Sequence, residues 1–307
     1  MASKAFVTEI IQLIYKIPTT FLMILSVHVI LKEVKKKNVH FIKSFFFIIV
    51  CKLVNEIINI ITYYVFIKLP KWGFFNKFLE ENDWTARVFF VLAAQQTTFM
   101  FLITFSMSIN RYVAVKYPLK YKSYFSKSNM IKTLTFFVIL SILIGLGNIF
   151  FYPVYGKRNF SGEFVPHFTS TKVVYYQIFY AIFLFGTISI GTCIFNVMAI
   201  LELKKHKKVP SYYKRERIYT TYSIFIFVTL SIVEAFFVIR VIARQYQINF
   251  LYHIFICYHI YAFDLPSIGD FYFLIYTSRE LRNGIKKSFM CSKKATAKVS
   301  VKIPYRR

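Results

Sequence analysis

The chain has 307 residues, of which 57% are hydrophobic, 20% aromatic and only 17% charged, with 40 Lys and Arg against 13 Asp and Glu. Soluble domains run at about 45–50% apolar and about 25% charged residues, so the composition excludes a disordered or linker protein and points to a lipid solvent. A formal net charge of +27 would suit nucleic acid if the basic residues shared one wet face, but they stand between long apolar runs, which excludes that partner.

The first apolar segment covers residues 9–31. About 20 residues of helix cross a hydrocarbon core of about 30 Å, so it is long enough to span a membrane and too long for the core of a removable leader. The second segment, 44–67, holds two charges near its middle, Lys52 and Glu56, with Asn55 beside them. At i and i+4 they share a helix face, and each offsets the other's desolvation.

The third segment, 86–110, has no charge from Val88 to Asn110. Polar groups inside a bilayer cost about 2.5–3.5 kcal/mol each on insertion scales and so face the bundle interior. Thr97, Thr104, Ser108 and Arg111 fall on one helical stripe. Gln95 and Gln96 mark its upper end, and Asn110-Arg111-Tyr112 its lower end, followed by Lys116, Tyr117 and Pro118. Roughly 22 Å of helix separates Gln96 from Arg111, which leaves room for a ligand site above and a switch below.

Residues 131–152 form the fourth segment, and the loop after it contains the only Asn-x-Ser/Thr sequon, Asn159-Phe160-Ser161, a candidate glycosylation site. The fifth, 173–201, carries Gln177 and Tyr180, and the following loop from Glu202 to Arg217 has seven Lys and Arg. The sixth, 218–241, holds a lone carboxylate, Glu234, which needs a partner or a purpose at that depth: a cationic ligand, Arg240 or His259. The seventh, 249–275, carries Tyr258, His259 and then Asp264-Leu265-Pro266-Ser267. Pro266 removes a backbone hydrogen bond. Lys52, Asn55, Glu56, Asp264 and Pro266 are therefore expected to form one buried cluster, either a switch or a static ion pair.

Beyond Tyr276, Leu281, Ile285 and Phe289 repeat every four residues, the pattern of a short amphipathic helix on a membrane surface. The multi-span body thus covers 1–290 and a basic tail 291–307, in which Cys291 is a candidate for acylation or an inert thiol. Cys51, Cys193 and Cys257 fall within segments, so no outer-loop disulfide is expected. The histidines show no i, i+4 pair and no metal, cofactor or enzymatic constellation is predicted.

With seven spans, 28 Lys and Arg fall on one side of the membrane and ten on the other. Basic loops stay cytoplasmic, which predicts an all-α seven-helix bundle with its N-terminus outside and its tail inside, the excess charge facing anionic lipid.

Asn110-Arg111-Tyr112 with Pro118 resembles the Asp/Glu-Arg-Tyr box of G-protein-coupled receptors, with asparagine in the acidic position. Ile10 to Pro18, Phe78-Leu79-Glu80-Glu81-Asn82 and Tyr121 ten residues after Arg111 are similar to the nematode serpentine chemosensory receptors, class gamma. That resemblance implies a plasma-membrane receptor of sensory-neuron cilia. It further implies that a heterotrimeric G protein engages Asn110, Arg111, Tyr112 and Pro118. A small-molecule or pheromone-like ligand is expected in the outer half, near Gln95, Gln96, Thr97, Gln177, Tyr180, Glu234, Tyr258 and His259. A transporter or ligand-gated channel for a small solute is the alternative. A transporter favours matched broken helices in two halves, and Pro18, Pro153 and Pro266 show no such symmetry.

Overall fold

A backbone in hydrocarbon has no water for its amides, so apolar segments of this length fold as helices with internal hydrogen bonds. The computed structural model describes residues 2–35, 43–157, 163–205, 211–246, 248, 250–251, 258 and 261–288. Among them are six helices long and apolar enough to cross a membrane. They are α1 (Ala2–Lys35), α2 (Lys43–Tyr63), α3 (Trp84–Lys116), α4 (Lys127–Leu146), α5 (Phe185–Lys205) and α6 (Ser211–Gln245). The last predicted segment lies partly outside the described residues. Its described part is helical at 261–264, passes through a wide π turn at Leu265–Gly269, and continues as α7 (Asp270–Thr277). A final helix, α8, covers 279–288 and buries Leu281 and Ile285.

Several boundaries carry local causes. Ser126, in extended conformation, caps α4 by accepting the amide of Asn129 at 3.3 Å. A π turn at Tyr64–Lys68 extends α2 to Lys71, and another at Phe179–Leu184 leads into α5. Several hydroxyls inside the spans donate to the carbonyl one turn back, as do Thr19, Ser26, Thr98, Thr104 and Thr192.

The all-α expectation needs one correction. Pro153–Lys157 (β1) pairs antiparallel with Phe164–Phe168 (β2), in a register running from Pro153↔Phe168 to Lys157↔Phe164. Tyr155 and Phe164 stack at 5.6 Å beside Leu79 and Ala86, and Tyr155 donates to the Phe66 carbonyl at 2.9 Å. Burial pushes the Tyr155 phenol up from its ordinary pKa. Residues 158–162, and with them Asn159, lie outside the described residues.

α3 stands at the centre, packed on α2, α4, α5 and α6. Phe99, Phe101, Ile103 and Met107 supply its buried surface to a core that includes Phe45, Ile48, Tyr222, Phe271 and Leu274. α4 approaches closely through Gly145, where a Cβ would lie 2.5 Å from the Val91 carbonyl oxygen. Small residues at such crossings let helices pack without a hydrophobic driving force.

Candidate functional site

Polar groups in the bundle are stacked in three layers. At the end away from the hairpin, α3 buries Asn110 and Arg111 completely. The Arg111 Nη1 donates to Glu216 Oε2 at 2.7 Å, from the first turns of α6, and both side chains have 0% exposure. Its guanidinium lies over the Phe45 ring at 4.1 Å and the Tyr219 ring at 5.4 Å, a cation–π arrangement strengthened by the absence of water. Arg111 also donates to Asn110 Oδ1, and Asn110 donates to the Tyr121 hydroxyl at 3.0 Å. Among the described residues, Arg111 Nε and Glu216 Oε1 have no hydrogen-bond partner. The five-donor fork is thus used in part, and the pair is one that another acceptor can replace. Tyr112 is buried and its hydroxyl accepts from Lys116 at 2.6 Å, while Pro118 is exposed in the following turn.

Above this lies a hydroxyl relay: Ser108 and Ser223 approach to 3.1 Å, and Ser223 donates to Asn196 Oδ1 at 3.0 Å, joining α3, α6 and α5.

The middle layer centres on Lys52, which is 3.3 Å from Glu56, 3.2 Å from Asp270 and 3.0 Å from the Pro266 carbonyl. The ammonium donates to Glu56 and to the carbonyl, and Asp270 completes the set as a charge partner. The carbonyl is free because, in the π turn, the amide of Asp270 reaches back to Leu265 instead of Pro266. Thr229 donates to Asp270 Oδ1 at 3.0 Å, which adds α6. Asn55 instead turns to α3 and donates to the Gln96 carbonyl at 3.1 Å.

Asp264 does not belong to this cluster, contrary to the expectation from sequence. It pairs with Lys16 at 2.6 Å and accepts from the Tyr15 hydroxyl, both on α1. Six residues, about 9 Å of helix, separate it from Asp270, the carboxylate that does reach Lys52. Sequence reasoning missed Asp270, an acid within the last apolar segment, whose phase relative to Pro266 depends on the π turn.

The third layer, toward the hairpin, holds Glu9 between Lys71 at 2.6 Å, Lys68 at 3.3 Å and the Trp72 indole at 2.8 Å. Lys71 continues to Glu163 at 2.7 Å and so ties the hairpin to the bundle. An aromatic box joins α3, α5, α6 and the last span. Phe101 stacks on Phe185 at 4.3 Å, Tyr180 meets Phe185 at 5.7 Å and Tyr176 at 5.3 Å, and Phe237 lies between Phe185 and Phe263.

The candidate ligand residues separate around this box. Tyr180 is buried in it, and Gln95 and Gln177 are half-buried. Thr97 is half-buried and bonds the Ala93 carbonyl of its own helix at 2.9 Å. Gln96 is committed to Thr62 at 2.9 Å and so ties α3 to α2. Glu234 accepts from Ser189 of α5 at 2.5 Å, with Gly186 making room: a Cβ there would lie 3.2 Å from Glu234 Oε1. Tyr258 is exposed, while His259 and Cys291 lie outside the described residues. Glu216 is a second residue that sequence reasoning missed, because it sits among Lys214, Arg215 and Arg217. Its signal was helical phase, since Glu216, Tyr219, Thr220 and Ser223 form one buried face. Among the described residues no group of His, Cys, Asp or Glu is placed to hold a metal ion.

The family model described as "Srg family chemoreceptor" matches residues 9–285 of the chain. No curated protein matches it.

Proposed function

The chain belongs to the Srg family, the class gamma serpentine chemoreceptors, and on that premise we propose a seven-helix plasma-membrane receptor that activates a heterotrimeric G protein. The hairpin end faces outside and the Arg111 end faces the cytoplasm, in keeping with the basic loops. A small molecule binds in the outer half against Gln95, Thr97, Gln177, Tyr180 and Glu234, with Tyr258 and His259 from the last span. Its differential affinity shifts a pre-existing equilibrium toward a form in which the lower end of α6 leaves α3. Asn110, Arg111, Tyr112 and Pro118 then meet the G protein. Lys52, Glu56, Asp270 and the Pro266 turn act as the joint between α2, α6 and α7, with Asn55 coupling that joint to α3.

The observation that carries this reading is the buried Arg111–Glu216 pair, which bolts α6 to α3 at the segment that resembles the Asp/Glu-Arg-Tyr box. Removing one partner of a buried pair leaves a charge uncompensated, at about 3–5 kcal/mol. Because the pair exists only while α6 lies against α3, its loss on opening biases the equilibrium toward the closed form. The expected outcome for Glu216→Gln is a several-fold rise in basal nucleotide exchange on a reconstituted G protein. For Arg111→Gln, exchange is abolished while surface expression persists. Unchanged exchange in both variants would overturn the reading.

A further inference from the structure

The outward faces of α6 and α7, at the Arg111 end, are separated by a groove of about 760 Å³. It is lined by Ile218 of α6, by Tyr272, Ile275 and Tyr276 of α7, and by Arg217, Arg279 and Arg282. The α6 contribution lies on the opposite side of that helix from Glu216, Tyr219 and Ser223, which face inward. The groove is therefore separate from the Arg111 pair and opens where lipid would surround the bundle.

Its chemistry is two-part. Side chains such as Ile218 and Tyr276 are exposed there at 40% and 75%, which suits hydrocarbon rather than water. Three arginines also line the groove, and a guanidinium carries donors in the fork that matches phosphate oxygens. Arg282 is held in place by donating to the carbonyls of Ile275, at 2.9 Å, and Tyr276 at the end of α7. Among the described residues, none of the three arginines forms an ion pair. Glu216 is taken by Arg111, and Glu280 accepts from Ser278 at 3.3 Å.

We propose that this groove binds an anionic phospholipid of the cytoplasmic leaflet, its phosphate at Arg217, Arg279 and Arg282 and an acyl chain along Ile218, Ile275 and the tyrosine rings. The assignment of leaflet rests on the orientation given above. Because the lipid bridges the lower ends of α6 and α7, it favours the arrangement in which those ends stay together.

The test is native mass spectrometry of the full chain released from nanodiscs holding equal parts phosphatidylcholine and phosphatidylserine. Both faces of a nanodisc carry both lipids, so the result does not depend on orientation or on G-protein coupling. The expected result is retained phosphatidylserine on the wild type and a loss on the order of tenfold in Arg217→Gln/Arg279→Gln, since each cation near an anionic surface contributes measurably. Those two arginines are exposed, and an unshifted melting temperature shows that the variant still folds. A control, Lys120→Gln/Lys127→Gln, is expected to keep the lipid. Absence of a phosphatidylserine preference in the wild type, equal loss in the control, or full displacement by soluble phosphoserine would overturn the proposal.

Discussion

Lys52 is a costly residue to bury, and its neighbours explain why it is tolerated. It donates to Glu56 and to a carbonyl released by the π turn and pairs in charge with Asp270, so the ammonium joins α2 to α7 instead of destabilising either. Lys52→Met strands Glu56 and Asp270 together and is expected to cost about 3–5 kcal/mol, read as a lowered melting temperature in detergent. The triple variant Lys52→Met/Glu56→Gln/Asp270→Asn is expected to recover much of that loss, because no buried charge is left. A triple variant as unstable as the single one would show that packing, not charge, sets the effect. Sequence spacing made the Lys52–Glu56 contact legible, since i and i+4 meet on any helix. It could not choose between Asp264 and Asp270, because that choice turns on how a proline-widened turn rotates one helix against another.

Glu234 follows the same logic at the level of one contact. Its carboxylate is held by Ser189, and the neutral Glu234→Gln keeps the shape while removing the charge. With a cationic ligand, dose–response curves of the variant are expected to shift to higher concentration by tenfold or more, since a charged hydrogen bond is worth about 1.5–3 kcal/mol. An unshifted curve with active ligands would remove Glu234 from the site.

At the scale of elements, the crossing of α4 over α3 has little tolerance. A side chain at Gly145 meets backbone at Val91, which cannot swing aside as a flexible side chain could. Gly145→Leu is expected to cost about 1–3 kcal/mol or more as overpacking, measured by thermal unfolding, whereas Gly145→Ala is expected to be milder. A neutral Gly145→Leu would mean that α4 is free to slide. The long helices themselves were legible from uninterrupted apolar runs, and α8 from the spacing of Leu281 and Ile285. The hairpin was not: β1 lies within and just past an apolar run that reads equally well as the end of a span. What makes it a strand pair is tertiary, namely the stacking of Tyr155 on Phe164 against Leu79 and the tie from Lys71 to Glu163.

For the whole molecule, topology is the first matter to test. Antibody access in intact cells to tags on each terminus is expected to give an outside N-terminus and an inside tail. Both tags on one side would break the seven-span count and favour a transporter or channel. The charge distribution makes this expectation strong, because basic loops resist translocation whatever the fold.

The sequence by itself pointed to the solvent, the long apolar helices and the family, since all of these are sums or patterns along the chain. Only the tertiary structure decided which acid meets which base. Arg111 finds Glu216 across 105 positions of sequence, Lys52 finds Asp270 across 218, and Asp264 finds Lys16 across 248. Such pairings depend on helix rotation and depth within the bundle, and a shift of one residue turns a side chain through about 100°, which no local pattern fixes.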